Sequence, residues 1–173
     1  MIKLVMLLFV TTALFAHPHT FIDIYPDIKV KDGVIEKLQL TWKIDEMTSS
    51  MLLMDVDTNG DGKFDAKEEK HIEYNYFNIM ADYDFYTFIK VDKKSVKMPK
   101  ITHFHAFVEN NKVCYRFEME LHTPAKQTSL EFGDSDFYIA MMLKDKFVTI
   151  EGAKAKVTGV DNDFYYGYRL EFK

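Results

Sequence analysis

Short runs that alternate apolar and polar residues, closed by tight-turn residues, constrain this chain more than any other feature. Phe21-Ile22-Asp23-Ile24-Tyr25 and Ile28-Lys29-Val30 run into Lys31-Asp32-Gly33, and the chain then runs back to Trp42. A period of two gives a strand one apolar face, and an Asp-Gly pair suits the left-handed backbone of a two-residue hairpin turn. Residues 20–44 are therefore expected to form a hairpin. The pattern recurs over residues 83–91, 101–109 and 112–122, with Asp92-Lys93-Lys94 and Asn110-Asn111 as turns. It continues over 128–132, 147–151, 155–160 and 165–172, while 137–143 reads as either a strand or a short helix.

Between two of these hairpins the period changes. Asp45 is a candidate N-cap for a helix with Met47, Met51 and Met54 on one stripe. A second helix is expected from Ala66 to Met80, with Asp65 and Glu68 as a capping-box variant and Ile72, Tyr76, Ile79 and Tyr83 on its apolar face. Asp57-Thr58-Asn59-Gly60-Asp61-Gly62-Lys63-Phe64-Asp65-Ala66-Lys67-Glu68 lies between them and fits the twelve-position EF-hand pattern. Asp57, Asn59 and Asp61 would supply side-chain oxygens, Lys63 its carbonyl, Asp65 a water-mediated contact and Glu68 both carboxylate oxygens. Ca²⁺ takes six to eight hard oxygen ligands, which one short loop offers only by wrapping. The expected fold class is α+β: mainly antiparallel β, sandwich-like, with a helix–EF-hand loop–helix inserted at about residues 45–82. A lone extracellular loop of this kind is expected to bind calcium at roughly 10⁻⁴–10⁻³ M, in a structural role.

At 173 residues the chain is one domain's worth, and 47% hydrophobic and 15% aromatic content supply a core. The formal charge is −5, with no basic stretch to match the acidic loop, which argues against nucleic-acid binding and for cations. Met1-Ile2-Lys3, an apolar core over 4–10 and small residues up to Ala16 read as a secretory signal. Cleavage after Ala16 is expected; an uncleaved anchor is the alternative, but the apolar stretch falls short of the roughly 20 residues a span needs. A single domain over 17–173, in the periplasm, follows. Cys114 stands alone, so no intramolecular disulfide is available.

Cleavage after Ala16 makes His17 the first residue, followed by Pro18 and His19. Pro18 lacks the amide nitrogen that the amino-terminal copper and nickel motif needs. A flexible His pair remains, suited to Zn²⁺, Ni²⁺ or Cu²⁺. His103 and His105 alternate in a strand and are expected on one side of it. With Asp23, these pairs offer a borderline-soft ligand set distinct from the hard-oxygen loop. The chain has no phosphate loop, nucleophile elbow or HExxH motif, and it is not read as an enzyme.

His17-Pro18-His19-Thr20-Phe21-Ile22-Asp23 resembles the mature start of the DUF1007 family. The likeness extends through Leu40-Thr41-Trp42, Asp45-Glu46, the acidic loop and Asp82-Tyr83-Asp84-Phe85-Tyr86-Thr87-Phe88. Phe132-Gly133-Asp134-Ser135-Asp136-Phe137-Tyr138 is similar to the family's Tyr-Asp-Pro-x-Tyr-Phe stretch, with Phe132 for Tyr and no proline. The family comprises periplasmic proteins found with nickel/cobalt-type permeases and includes a Zev-type zinc-uptake component. The resemblance implies an accessory protein that buffers or delivers zinc or nickel to such a membrane permease, with His17, His19 and Asp23 as candidate ligands. His103 and His105 match no family motif. The rival expectation is a calcium-stabilised scaffold or adhesion module.

Overall fold

Alternation does what it should at the start of the chain. The computed structural model describes residues 19–162 and 165–173. Strands β1 (Thr20–Lys31) and β2 (Val34–Ile44) pair as the expected hairpin, with Ile24 opposite Trp42 and Ile28 opposite Leu38. Asp32 and Gly33 turn the chain at φ 50° and 78°, the left-handed pair that matches the twist of the flanking strands. Ile22, Ile24, Ile28, Leu38, Leu40, Trp42 and Ile44 are all buried on one face. Ile35 is buried with them although it stands at odd spacing from Leu38, because a bulge between Ile35 and Lys37 absorbs one residue.

Nine further strands follow among the described residues: β3 (Thr87–Val91), β4 (Lys94–Val96), β5 (Thr102–Glu109), β6 (Lys112–Pro124), β7 (Thr128–Gly133), β8 (Ile139–Met142), β9 (Thr149–Glu151), β10 (Ala155–Asp161) and β11 (Tyr166–Phe172). One sheet runs β5-β6-β2-β1-β8, with β9 also on β1; the other runs β10-β11-β7-β3-β4. Their apolar faces share one core, from Ile22, Trp42 and Phe117 on the first sheet to Leu130, Phe132 and Leu170 on the second. Pairing is antiparallel except at β8 and β9, which run parallel to β1. Among the described residues no helix is long and apolar enough to cross a membrane.

The stretch between β2 and β3 corrects the expected fold. Strands hold 52% of the described residues and helical turns 25%, so the α+β description stands only in a form weighted to β. The inserted helix–EF-hand loop–helix is not what forms. Helix α1 (Glu46–Val56) and helix α2 (Ala66–Ile72) are there, but α2 has seven residues and passes into a π turn at Glu73–Phe77 and a 3₁₀ segment at Asn78–Tyr86. The carboxylates between the helices bond the loop's own backbone. Asp57 accepts from the N–H groups of Gly60, Asp61 and Gly62 at 2.8, 3.2 and 2.8 Å. Glu68 accepts from the Thr58 N–H and hydroxyl at 2.8 and 2.9 Å and from the Asp65 N–H at 3.0 Å. Asn59 and Asp61 accept from Asp61 and Lys63 N–H groups in the same way. Among the described residues no group of three or more His, Cys, Asp or Glu side chains gathers as a metal site. Twelve-residue spacing places oxygens in a loop; it does not decide whether they converge on a centre or cap the backbone.

The helical faces move as well. Met47, Met51 and Met54 are exposed, and α1 buries Ser49 and Val56 instead. The Ser49 hydroxyl donates to the Ile44 carbonyl at 3.1 Å and accepts from the Val113 N–H at 2.9 Å, which docks α1 on the first sheet. After α2 the buried residues are Ile72 and Phe77, while Ile79 and Tyr83 face solvent. Five residues apart is about 140° out of phase in an α-helix. The wider π turn brings both onto one side. Extended structure then starts at Thr87, later than residue 83, because Phe85 and Tyr86 turn inward onto Phe77 and Trp42, with ring centroids 4.8 and 6.3 Å apart.

Candidate functional site

The start of β1 is held by segments far apart in the chain. The Tyr138 carbonyl accepts from the His19 and Thr20 N–H groups at 2.8 and 3.3 Å. The Tyr138 ring stacks on the His19 imidazole, with centroids 5.9 Å apart and planes 23° apart. Thr20 meets Thr48 through their hydroxyls at 3.2 Å, and the Asp45 carboxylate accepts from the Phe21 N–H at 2.9 Å. Asp45 also caps α1 as expected, accepting from the Thr48 N–H at 3.0 Å. Burial alone would raise the Asp45 carboxyl, but its bonds from Thr48 and Phe21 outweigh that and hold it below the usual carboxylate range.

Asp134 shapes the loop that carries Tyr138. It is 3% exposed and accepts from the N–H groups of Asp136, Tyr138 and Ile139 at 3.0, 3.0 and 2.9 Å. Residues 19–21, 45–48 and 134–139 thus converge, and the His19 imidazole is left exposed, with no hydrogen-bond partner among the described residues. An imidazole fixed at its backbone and open at its nitrogens can take or release a borderline metal ion.

The other candidate ligands are not brought to it. His17, and the expected signal segment 1–16, lie outside the described residues. Asp23 is opposite Lys43 on β1, and four residues of extended chain separate it from His19 by roughly 13 Å. His103 and His105 sit at the far edge of the same sheet, and the expected alternation breaks there: His103 lies inside a bulge between Thr102 and His105, with a left-handed φ of 52°. Each has its own carboxylate partner at Nδ1: Glu118 at 3.0 Å for His103 and Glu69 at 2.8 Å for His105. Glu69 also accepts the Ala106 N–H at 3.0 Å, which covers part of the exposed edge of β5. Asp57, Asn59, Asp61, Lys63, Asp65 and Glu68 remain together in the loop already described, with Asp65 and Glu68 as a complete capping box.

Residues 132–138 show a family likeness in the sequence, but nothing local in them marks a role. The only signal is their composition: a Gly followed by Asp-Ser-Asp is a side-chain-capped turn in waiting. Only the fold shows that this turn reaches the first strand.

Fold and seat together define a two-sheet β protein with an exposed histidine immediately before its first strand, fixed by the loop between β7 and β8. The chain belongs to the family described as "Protein of unknown function (DUF1007)", which matches residues 2–160. It is 32% identical over 94 residues to the "Uncharacterized 15.5 kDa protein in trpE 3'region" of Spirochaeta aurantia, covering 53% of this chain and 67% of that protein. It is 26% identical over 144 residues to an "Uncharacterized protein" of Haemophilus influenzae, covering 80% of this chain and 68% of that one. No solved structure matches.

Proposed function

We propose that this protein is a periplasmic accessory that binds zinc or nickel and hands it to a membrane permease of the nickel/cobalt type. The observation that supports this reading is the His19 seat. Its backbone is pinned by Tyr138 and its ring is stacked, yet the imidazole has no hydrogen-bond partner among the described residues. A seated, incompletely coordinated ligand suits exchange: it holds an ion without enclosing it. Cleavage after Ala16 would place His17 and its α-amine beside this ring in sequence, adding two nitrogen donors.

Calorimetry on the cleaved, metal-stripped protein tests the reading, with no tag residues left before His17. Zn²⁺ or Ni²⁺ is expected to bind in the micromolar range or tighter, equivalent to at least about 8 kcal/mol. His17→Ala with His19→Ala is expected to weaken that binding by about a hundredfold or more, each tenfold being 1.4 kcal/mol. Millimolar binding, or a double variant indistinguishable from the parent, would remove the delivery role. Calcium is a separate proposal that rests on the oxygen-bearing side chains of residues 57–68. It predicts that 5 mM, on the order of ten times a weak extracellular Kd, raises the Tm of the stripped protein by about 3 °C or more, as expected from the binding term. An unchanged Tm removes it.

A further inference from the structure

The aromatic stretch before β3 encloses a space that the proposed metal chemistry does not use. A cavity of about 170 Å³ opens between residues 82–88 and 133–135, with Asp82, Tyr83, Asp84, Tyr86 and Asp134 in its lining and no Lys or Arg. Tyr86 is 8% exposed, and its hydroxyl has no hydrogen-bond partner among the described residues. That hydroxyl is not sealed in the core: the residue lines the cavity, and the hydroxyl is free to bond a ligand there. Asp82 and Asp84 are exposed, and neither carboxylate is hydrogen-bonded or ion-paired among the described residues. Asp134 adds its charge from below, although its oxygens are taken by three backbone N–H groups.

The backbone is unusual at the same place. Asp84, Phe85 and Tyr86 are three successive non-glycine residues with φ near 50°. Left-handed backbone is unfavourable for L-residues and persists only where the surroundings over-determine it. Here Phe85 and Tyr86 are locked by rings, which fixes Asp84 at the rim. Burial, and then the charges of Asp134, Tyr83 and Asp136, push the Tyr86 hydroxyl up to about 12. It therefore stays a neutral phenol, able to accept through its lone pairs, in a negative potential that favours a cation.

The cation that fits is organic. The donors do not gather as a metal site, whereas the wall is built of tyrosine rings, whose faces attract ammonium groups. We propose that this cavity binds an alkylammonium group, the head of a small primary amine or of a lysine side chain, with Asp82 and Asp84 pairing its charge and the Tyr86 hydroxyl accepting one of its N–H bonds.

The test is a titration of the cleaved protein with n-butylammonium chloride, read from the aromatic proton resonances of Tyr83 and Tyr86. Saturable shifts are expected, and n-butanol or sodium chloride at equal concentration should leave them unmoved. Asp82→Asn with Asp84→Asn should weaken binding at least about tenfold, which is 1.4 kcal/mol, with Tm unchanged because both side chains are exposed. Tyr86→Phe should weaken it a few-fold. Nα-acetyl-lysine amide binding tighter than butylammonium assigns the head group to a protein lysine; equal or weaker binding assigns it to a free amine. Butanol shifts equal to those of the amine, a double variant that binds unchanged, or saturation by Zn²⁺ or Ca²⁺ with none by butylammonium overturns the proposal. The His17 and His19 variants leave this titration unmoved, so its outcome is separable from that of the metal reading.

Discussion

Trp42→Ala is expected to cost about 3–5 kcal/mol of folding stability. That corresponds to a fall in Tm of roughly 6–20 °C for a chain of this size. Trp42 is fully buried and is the hub where the first sheet meets the helical segment: Phe77, Tyr86 and Phe117 surround it at 6.3, 6.3 and 5.0 Å between centroids. Alanine would leave a void bounded by rings that are themselves locked against Phe85, Phe104 and Tyr115, so the site cannot collapse. Trp42→Phe should cost far less, about 1–2 kcal/mol. The indole Nε1 is buried without a hydrogen-bond partner, and phenylalanine removes that orphan donor along with the lost volume. Far-UV circular dichroism is the right probe, since Trp42 is the only tryptophan and fluorescence would vanish with it. A phenylalanine variant as unstable as the alanine variant would show that the indole itself, and not the volume it fills, governs this cluster.

The same cluster explains which parts of the fold were legible. Turns announced themselves: Asp32-Gly33, Asp92-Lys93 and Asn110-Asn111 all have left-handed backbone, which Asp, Asn and Gly take readily and Lys93 does not. The hairpins between them followed from a period of two, since nothing in those strands competes with it. The period failed where rings overrode it. Residues 83–86 alternate like a strand, but burying Phe85 and Tyr86 against Phe77 and Trp42 is worth more than continuing the ladder. The π turn is likewise invisible in the sequence, because it exists to bring Ile72 and Phe77 onto one side of a helix whose pattern reads as α. The His19 seat lay beyond local reasoning altogether. Its contacts join residues 24 to 119 positions apart, and β8 joins β1 in parallel, a pairing no turn residue signals.

Glu131→Ala should rival Trp42→Ala, at about 3 kcal/mol, by a different mechanism. Glu131 lies on the face of the second sheet turned away from the core, yet it is 1% exposed. Lys90 reaches its two oxygens at 3.0 and 2.9 Å and Arg169 bonds one at 2.7 Å, while the Tyr165 hydroxyl donates to the other. Gly133 makes room for that tyrosine, since a Cβ there would lie 2.2 Å from its ring. Alanine strands the phenol without an acceptor. Lys90 and Arg169 are about a third exposed and reach water, which keeps the cost at the low end of the range for broken buried pairs.

The pH dependence separates this mechanism from simple cavity formation. Burial would raise the Glu131 carboxyl, but the Tyr165, Lys90 and Arg169 bonds outweigh it and hold the group below its ordinary value. As pH falls, the unfolded chain therefore takes up this proton first, near its unperturbed pKa of about 4.3. The stabilisation is complete above that pH and is lost as pH drops through the lower folded value. Urea unfolding of the parent and of Glu131→Gln, which keeps the shape without the charge, should show a gap in stability that is constant from about pH 7 to pH 5 and narrows below pH 4. A gap that persists unchanged at pH 3 would mean that Glu131 acts through packing and neutral hydrogen bonds, and that the two cations beside it contribute nothing through its charge.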